Sequence, residues 1–344
     1  MTQPYKIAII GAGMFGKVHI EHFQQEERAQ VAWVCSATEA TTRQAAERFK
    51  IPRWTLDYRE ILADPSVDAV VVATPPYLHA EQLEAALRAG KHVLMEKPLA
   101  ASPREAAHMV ETVNRFPDRI VIDASCRHAR LQPKFAFVKA FIESGKLGRV
   151  YHIHHNHLIR TTFIEWNPQG QWAMDKNLGG GGPFVDWGVY DLSFHLGVLG
   201  DVPNLKSLRS FTINGLRDVS GLVNTSDIEQ HGAAWMEFDT GLTYYYERGA
   251  GVHGETANET RIYGTKGSLR LQFSTWDANT IEYFHADPDP RKETLTVDMS
   301  AHSANDNLPL VRHFLDCLDG KTAPLMPLSL AAKHMDILFR IVSP

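Results

Sequence analysis

The chain has 344 residues, more than a single core usually spans, so we expect about two domains. Its 35 basic and 40 acidic residues give a net charge of -5, which argues against nucleic acid or an anionic membrane as partner. There is no signal-peptide pattern and no apolar run of membrane-spanning length, and the three cysteines show neither metal spacing nor a disulfide framework. We therefore expect a protein of the reducing cytoplasm.

The first predicted strand runs into a glycine-rich turn. Residues 5–16 read Y-K-I-A-I-I-G-A-G-M-F-G, and a helical pattern follows. Gly11 would make the tight turn, Gly13 would let the backbone approach a pyrophosphate, and Gly16 would let the helix pack close to the strand. Free N–H groups and the dipole at the helix N-terminus favour the phosphates. The cofactor-binding residues predicted here are Gly11, Gly13, Met14, Phe15 and Gly16.

The end of the second predicted strand, residues 31–35, bears on the choice of nucleotide. An acidic residue there would bind the ribose hydroxyls of NAD, but the expected position holds Ser36, which is small and neutral. Ser36 and Thr38 can bind a 2′-phosphate with Arg43 as counter-charge, unless Arg43 is a solvated helix residue. Alternatively, Glu39 reaches the ribose. The predicted cofactor is NAD(P), with a lean towards NADP.

Residues 68–74 form a continuous apolar run, as expected for a strand buried on both faces of a parallel sheet. The run ends at Thr74 and Pro75, and His79 follows shortly after. Because ligands bind beyond the carboxyl ends of such strands, these three residues are candidate cofactor contacts. For His79 the alternative is a helix-capping or half-buried side chain.

The next predicted strand delivers Glu96, Lys97 and Pro98 to the same edge of the sheet. Proline restrains the residue before it to an extended backbone, which aims the ammonium group of Lys97. Such a lysine can hydrogen-bond a substrate hydroxyl or carry a proton, so we predict that Lys97 is catalytic. The plain alternative is a strand-end lysine paired with Glu96. Glu96, Lys97 and Arg127 are also predicted cofactor contacts, although Arg127 could equally form a salt bridge.

The regular alternation of strands and helices ends near residue 125. It is typical of a doubly wound α/β domain. A helix over 134–144 follows, then a series of strand-like segments and two final helices over 308–318 and 328–341. The strand-like segments, which we expect to be mostly antiparallel, are 150–158, 206–213, 231–238, 242–247, 260–263, 268–273, 280–284 and 293–297.

Four histidines occur in one of these strands, at positions 152, 154, 155 and 157. Alternate side chains of a strand face opposite ways, so His152 and His154 share one face and His155 and His157 share the other. Two histidines on one face can begin a metal site. No carboxylate or cysteine stands at a partner spacing, so we expect a polar sheet face and no metal.

A second candidate site lies at residues 179–191, which read G-G-G-G-P-F-V-D-W-G-V-Y-D. The glycines predict a turn that lets the chain approach a ligand, and a helix follows. Asp186 and Tyr190 are four residues apart and share one helix face, where a carboxylate and a phenol can form a proton-transfer pair. Asp191 should point away from Tyr190, and His195 is expected to be packed or hydrogen-bonded rather than catalytic.

Together these motifs resemble the glucose–fructose oxidoreductase / inositol dehydrogenase family, written Gfo/Idh/MocA. The resemblance extends over nearly the whole chain. It implies a dinucleotide-binding Rossmann domain over 1–125 and an α+β domain with an open, mostly antiparallel sheet over 126–344. The second domain would bind substrate and mediate a homodimer or homotetramer, with the last helix able to pack back on the first domain. The matching motifs are Gly11-x-Gly13-x-x-Gly16, Thr74-Pro75…His79, Glu96-Lys97-Pro98 and Gly180-Gly181-Gly182-x-x-x-Asp186-x-Gly188-x-Tyr190.

The resemblance also implies roles for individual residues. The catalytic lysine of the family falls on Lys97, and the usual histidine of its Asp-x-Gly-x-His helix is Tyr190 here, the variant in which a tyrosine is the acid/base. The aspartate that many members carry three residues later is Ser193. A tryptophan before the glycine turn approaches the cofactor in relatives, which assigns Trp172, although the arginine that commonly follows is Ala173.

The expected activity is that of an NAD(P)-dependent oxidoreductase acting on a sugar, sugar derivative or polyol. Lys97 and Tyr190 would form the proton-transfer pair, and Asp186 would be a third catalytic residue. One alternative is a nucleotide-dependent glycosidase that oxidises its sugar only transiently. A non-catalytic ligand sensor is the other, which the presence of both Lys97 and Tyr190 disfavours.

Overall fold

The computed structural model describes residues 3–201, 203–224, 226–274, 278–286, 291–300 and 306–343. The chain divides into two compact units. The first comprises Met1–Arg127 and Asp306–Lys333, and the second comprises His128–Asn305 and His334–Pro344. The first break therefore falls after Arg127, where the sequence placed it after residue 125.

The first unit is built on a parallel sheet that has, in the described part of the chain, six strands. Its elements are β1 (Tyr5–Ile10), α1 (Met14–Phe23), β2 (Ala29–Cys35), α2 (Glu39–Phe49), β3 (Arg53–Thr55), α3 (Tyr58–Ala63), β4 (Ala69–Val72), α4 (His79–Arg88), β5 (His92–Met95), α5 (Pro103–Asn114) and β6 (Val121–Asp123). The strand order is β3-β2-β1-β4-β5-β6, and every neighbouring pair is parallel. This confirms the doubly wound Rossmann fold, whose ligands bind where the order reverses, between β1 and β4.

β3 is a short strand because a helix begins soon after it. The strand ends at Thr55, and Asp57 is the N-cap of α3. The Asp57 carboxylate accepts a hydrogen bond from the backbone N–H of Arg59 at 3.0 Å, which caps the helix and stops the strand.

The second unit is built on a larger sheet that is open at both edges. Its elements are α6 (Pro133–Glu143), β7 (Val150–Ile159), α7 (Phe163–Trp166), α8 (Lys176–Gly179), α9 (Pro183–Gly197), β8 (Leu205–Ile213), β9 (His231–Phe238), β10 (Thr243–Ala250), β11 (Ala257–Gly264), β12 (Gly267–Leu271), β13 (Thr280–His285) and β14 (Lys292–Thr296). The order among the described strands is β14-β13-β12-β11-β7-β10-β9-β8. Only β7 and β10 pair in parallel there, so the predicted mostly antiparallel sheet is confirmed.

The two faces of this sheet differ sharply in burial. His155 on β7 lies opposite Tyr246 on β10, and both are completely buried on the face that packs against α9. The opposite face carries His154 next to Tyr245, with ring centroids 4.8 Å apart, and Trp235, which is 45% exposed. The predicted separation of the histidines onto two faces is confirmed.

Two helices follow the sheet, α10 (Asn307–Leu318) and α11 (Leu328–Val342). α10 packs on α1, where the rings of Phe23 and Phe314 meet edge to face with centroids 6.4 Å apart. α10 and residues 328–333 of α11 belong to the first unit, and the rest of α11 belongs to the second. No helix of the described chain is long and apolar enough to cross a membrane.

Candidate active-site residues in the two units

The glycine turn after β1 is shaped by the neighbouring backbone. Gly11 has φ +104°, and a Cβ there would lie 2.5 Å from the carbonyl oxygen of Ala73. A Cβ on Gly16 would collide with the carbonyl oxygen of Gly11. A Cβ on Gly13 would meet no atom within 4 Å. Gly11 and Gly16 are therefore required by the packing of the protein itself, whereas Gly13 borders open space that a ligand can approach.

The N-terminus of α1 is suited to an anion. Its N-cap is Gly13, which has no side chain to accept a hydrogen bond from the first turn, and no acidic residue occurs in that turn. The first N–H groups of the helix and its dipole are thus available to a negatively charged ligand. A nucleotide pyrophosphate fits this end of the helix.

The residues predicted beyond the end of β4 are hydrogen-bonded to one another and to their neighbours. The Thr74 hydroxyl donates to the Gln82 side chain at 2.6 Å. His79 is completely buried, with Nε2 2.8 Å from the carbonyl oxygen of Thr74 and Nδ1 3.1 Å from that of Leu99. Burial lowers the pKa of His79, and a neutral imidazole can donate to only one of these two carbonyls. His79 therefore lies between the turn that begins at Thr74 and Pro75 and the backbone at Leu99.

Glu96, at the end of β5, accepts hydrogen bonds from three groups. His19 Nε2 and Arg127 Nη1 lie 2.7 Å and 2.6 Å from its Oε1, and the backbone N–H of Lys97 lies 3.1 Å from its Oε2. Burial by itself would raise the pKa of Glu96, but the charge of Arg127 and the hydrogen bond of His19 outweigh it and hold the pKa well below its usual range. The ionised carboxylate therefore fixes the backbone at Lys97.

Phe15 brings the glycine turn next to this cluster. Its ring centroid lies 5.9 Å from the Lys97 ammonium nitrogen and 4.7 Å from the Arg127 guanidinium carbon. Both distances are within the range of cation–π attraction. Lys97 is half-buried, and its peptide bond to Pro98 is cis. The structure thus gathers Phe15, Glu96, Lys97 and Arg127, which the sequence offered as separate candidates.

The residues predicted to select the nucleotide lie at the end of β2 and the start of α2. Ser36 follows β2 directly. The Thr38 hydroxyl caps α2, accepting from the N–H of Thr41 at 3.3 Å. Arg43 forms an exposed ion pair with Glu39 at 3.4 Å. Arg43, the predicted counter-charge for a 2′-phosphate, is therefore paired with Glu39, the predicted ribose ligand.

In the second unit, α9 carries Asp186 and Tyr190. Tyr190 is 1% exposed, and its ring centroid lies 5.5 Å from that of Trp187 and 4.8 Å from that of His128. Both neighbours meet it edge to face, an arrangement that aromatic rings prefer. Tyr190 is therefore held between two rings, while Asp186, one turn earlier, is half-buried.

The glycine turn before α9 packs against the protein rather than leaving room for a ligand. A Cβ on Gly182 would collide with the backbone carbonyl oxygen of Glu229, and one on Gly181 would lie 2.6 Å from the Val185 side chain. The Glu229 carboxylate accepts from the N–H groups of Gly182 and Phe184 at 2.8 Å and 3.1 Å. The prediction that these two glycines let a ligand approach is therefore wrong. The glycines make room for Glu229, which caps α9 and which the sequence did not reveal.

Trp172 lies in a 3-10 turn between α7 and α8 (Gln171–Met174). Its ring centroid is 6.3 Å from that of Phe163 on α7, and Phe163 in turn lies 6.0 Å from Trp166. Trp172 therefore belongs to a small aromatic cluster that precedes α8 and the glycine turn.

Asp191 forms a buried ion pair with Arg248 on β10. Arg248 Nε and Nη2 lie 2.6 Å and 3.0 Å from its two oxygens, and the Tyr246 hydroxyl donates to it at 2.6 Å. Burial alone would raise the pKa of Asp191, but Arg248 outweighs it and holds the pKa well below its usual range. Asp191 therefore faces the sheet as an ionised group, and the sequence did not indicate its partner.

The histidines of this layer are hydrogen-bonded within the protein. His195 meets the Tyr244 hydroxyl at 2.6 Å and Thr260 at 3.0 Å, which confirms its predicted structural role. His155 meets Thr260 at 2.8 Å and lies 3.6 Å from the Asp191 carboxylate. Asp191 belongs to α9, so the residue spacing within β7 could not reveal this neighbour. No group of three or more metal-binding side chains occurs in the described ranges.

Two family models match this chain. Residues 5–123 match the oxidoreductase family with an NAD-binding Rossmann fold, and residues 135–270 match the GFO/IDH/MocA C-terminal domain. The chain belongs to the Gfo/Idh/MocA family. This confirms the resemblance drawn from the motifs, and the chain is an oxidoreductase with an NAD-binding Rossmann domain.

Two relatives of this chain are named as dehydrogenases, one of levoglucosan and one of D-glucosides. The chain is 25% identical over 335 residues to levoglucosan dehydrogenase of Pseudarthrobacter phenanthrenivorans, covering 89% of this chain and 83% of that protein. It is 29% identical over 210 residues to D-glucoside 3-dehydrogenase of Escherichia coli, covering 61% and 58%. A structure of levoglucosan dehydrogenase with NADH and levoglucosan has a TM-score of 0.83 at 21% identity, covering 99% of this chain and 97% of that one. That likeness supports the fold.

Proposed function

We propose that this protein transfers a hydride between a nicotinamide nucleotide and a sugar, sugar derivative or polyol. The observation that carries the proposal is the cluster around Glu96, which fixes the backbone of Lys97 beside Phe15 of the glycine fingerprint. Relatives named for levoglucosan and for D-glucosides support a carbohydrate as substrate.

The first unit would hold the nucleotide. Gly13 borders open space and the first turn of α1 has no side-chain cap, so the pyrophosphate would bind there. When bound, the nicotinamide accepts or returns the hydride. His79 would contribute indirectly, through its contact with the carbonyl oxygen of Thr74 in the turn after β4. The remaining cofactor contacts that we propose are Gly11, Met14, Phe15, Gly16, Ser36, Thr38, Arg43, Thr74, Pro75, Glu96, Lys97, Arg127 and Trp172.

Lys97 and Tyr190 would move the proton of the reacting hydroxyl. In the oxidation direction Tyr190 would act as its phenolate, taking the hydroxyl proton as general base to become the phenol, and the Lys97 ammonium would stabilise the developing alkoxide. Asp186 would orient the substrate or set the charge state of Lys97. This assignment is supported by the family motif at Lys97 and Asp186–Tyr190 and by the contacts that hold each side chain within its own unit.

NADP is the nucleotide that we propose to bind more tightly. Ser36 places no carboxylate at the end of β2 to repel a 2′-phosphate. The ion pair between Arg43 and Glu39 is exposed and weak, so Arg43 can turn to a phosphate at small cost.

A substrate screen tests the function directly. Levoglucosan, glucosides, free sugars and inositols would be offered with NAD+ and with NADP+, while nucleotide absorbance and sugar products are both followed. Net nucleotide reduction with a sugar is the expected result. Release of an aglycone without that change would indicate the redox-neutral glycosidase instead, and absence of nucleotide binding would refute both.

We also propose that the second unit binds the substrate and joins copies of the chain through the open face of its sheet. Trp235, Phe211 and Ile213 are 45%, 51% and 44% exposed on that face. An exposed apolar patch of this kind marks an interaction surface. Light scattering would give a dimer or tetramer, and Trp235→Glu should lower the mass, whereas a monomer at all concentrations would contradict the proposal. The free, buried cysteines suit the cytoplasm that we propose as compartment.

A further inference from the structure

The helix that carries Asp186 and Tyr190 has no apolar stripe to set its rotation. Of its 15 residues, 13 are buried, and Asp186 and Trp187 are half-buried. A helix that is buried all round has no solvent-exposed face to set its rotation about its axis. Its rotation must therefore be set by close packing, as at Gly188, and by directional contacts.

Arg248 supplies such contacts at two positions of α9. Its guanidinium forms the two-pronged ion pair with Asp191, and its central carbon lies 5.7 Å from the ring centroid of Trp187. Trp187 and Asp191 are four residues apart, so they lie one above the other on the same helix face. One planar guanidinium thus contacts two side chains that lie one helical turn apart. A guanidinium can form two parallel hydrogen bonds to a carboxylate and can also stack on an aromatic ring.

The face bound by Arg248 is adjacent to the face of the proposed catalytic pair. Successive residues of a helix are about 100° apart, so Asp186 and Tyr190 form the face one step before Trp187 and Asp191. A rotation that moved Tyr190 would break the ion pair of Asp191 and separate Trp187 from Arg248. Fixing one face therefore fixes the other.

We propose that Arg248 is a positioning residue that sets the rotation of α9 and so aims Tyr190 and Asp186 at the substrate. The inference rests on the proposed function for the role of Tyr190 and Asp186, but how firmly Arg248 holds α9 can be measured without catalysis. A buried ion pair often contributes no more stability than apolar residues of the same size, so its presence is better explained by specificity of arrangement.

Other contacts hold α9 elsewhere along its length. Glu229 caps its N-terminus, and His195 meets Tyr244 one turn beyond Asp191. These contacts fix the ends of the helix, whereas Arg248 is bound to the turn that contains Tyr190. Tyr283 therefore offers a control from the same sheet: Tyr283→Phe removes a buried hydroxyl that donates to the carbonyl of Lys146 and not to α9.

The test replaces the charged contact by apolar groups of similar volume. The variant Asp191→Leu/Tyr246→Phe/Arg248→Met leaves neither buried charge nor an orphaned hydroxyl, and it should fold. We expect kcat to fall by about 10–100-fold with unchanged nucleotide affinity, the size of effect that a small misplacement of catalytic groups produces. Amide hydrogen exchange in peptides covering residues 183–197 should become faster, and Tyr283→Phe should show neither change.

Arg248→Lys provides a second route that keeps the charge. A lysine has no fork and no planar face, so kcat should fall and exchange over residues 183–197 should rise, although less than in the apolar variant. Wild-type kcat and exchange in a folded apolar variant, or in Arg248→Lys, would overturn the proposal. If the wild type turns over no sugar, the proposed function fails, and the exchange measurement alone tests whether Arg248 holds α9 in place.

Discussion

His19 Nε2 lies 2.7 Å from Oε1 of Glu96, and this buried contact joins α1 to the end of β5. Because Glu96 is ionised, the ring nitrogen of His19 donates the hydrogen. The same carboxylate accepts from the backbone of Lys97. The proposed catalytic lysine is therefore coupled to the helix that carries the glycine fingerprint.

Replacing His19 with leucine should leave one hydrogen-bonding site of a buried carboxylate unmet. We expect a loss of about 1–3 kcal/mol in the free energy of unfolding, measured by urea denaturation, and a lower kcat because Glu96 no longer fixes Lys97 as firmly. His22→Leu is the matched control, since the ring of His22 on the same helix hydrogen-bonds the carbonyl of Val18 and, within the described residues, does not contact Glu96. Equal kcat values for the two variants would argue against the coupling.

The fingerprint glycines should separate folding from nucleotide binding. Gly13→Val places its side chain in open space, so its melting temperature without nucleotide should stay near that of the wild type while nucleotide binding is lost. Gly16→Val collides with the Gly11 carbonyl and should be strongly destabilised. Thermal unfolding and calorimetric titration distinguish the two, and micromolar nucleotide affinity in Gly13→Val would contradict the phosphate site.

Lys97 and Tyr190 should behave as one unit in catalysis. Tyr190→Phe keeps the ring between Trp187 and His128 and removes only the hydroxyl, so turnover should fall by about 10²–10⁴-fold. Lys97→Met should also reduce turnover severely while nucleotide affinity stays within about tenfold, or ~1.4 kcal/mol.

Single-turnover kinetics of the double variant test the relay. The double variant should be little worse than the worse single variant, because residues that act together are non-additive. Asp186→Asn should be harmful as well. Full activity of Tyr190→Phe would return the acid/base role to Lys97 or Asp186, and full activity of Lys97→Met would refute its catalytic role.

Ser36→Asp should move the nucleotide preference towards NAD. A carboxylate at the end of β2 accepts hydrogen bonds from the ribose hydroxyls and repels a 2′-phosphate. The ratio of kcat/KM values for NADP and NAD should fall, while Ser36→Ala should leave it nearly unchanged. A wild type that already uses NAD far better than NADP would refute the proposed preference.

Stability should fall as the pH drops below neutral, because several histidines are buried in neutral form. Burial lowers the pKa of His157 to about 3, of His195 to about 4, and of His155 well below 6.5. Between pH 6.5 and about 4 the unfolded chain takes up protons that the folded chain does not, so each histidine costs ~1.4 kcal/mol per pH unit. Burial also raises the pKa of Asp123 to about 6, so the folded chain takes up a proton at this carboxyl before the unfolded chain does. This stabilises the folded chain as the pH falls and offsets the effect of one histidine.

The net expectation is a fall of at least ~1.4 kcal/mol in the free energy of unfolding between pH 6 and pH 5. Urea denaturation at a series of pH values measures it. His157→Gln removes one of the buried histidines and should make the slope shallower. Stability that is constant or rises over this interval would show that the buried histidines are charged.

The sequence by itself determined the elements and the motifs. Strand and helix periodicity, the glycine fingerprint and the Glu96-Lys97-Pro98 segment depend on residues close together in the chain, so a local pattern was sufficient to predict them. All eight strand segments predicted beyond residue 126 are present, with ends shifted by a few residues. The family and both fold classes followed from the same local patterns.

The partners of the buried polar groups were decided only by the tertiary structure. His19 lies 77 residues from Glu96, Arg248 lies 57 from Asp191, and Glu229 lies 47 from Gly182. Each pair forms because the fold brings distant segments together in a dry interior, where an unmatched charge or N–H group is costly. Local sequence carries the chemistry of each group but not its partner, since the partner depends on how the strands and helices pack.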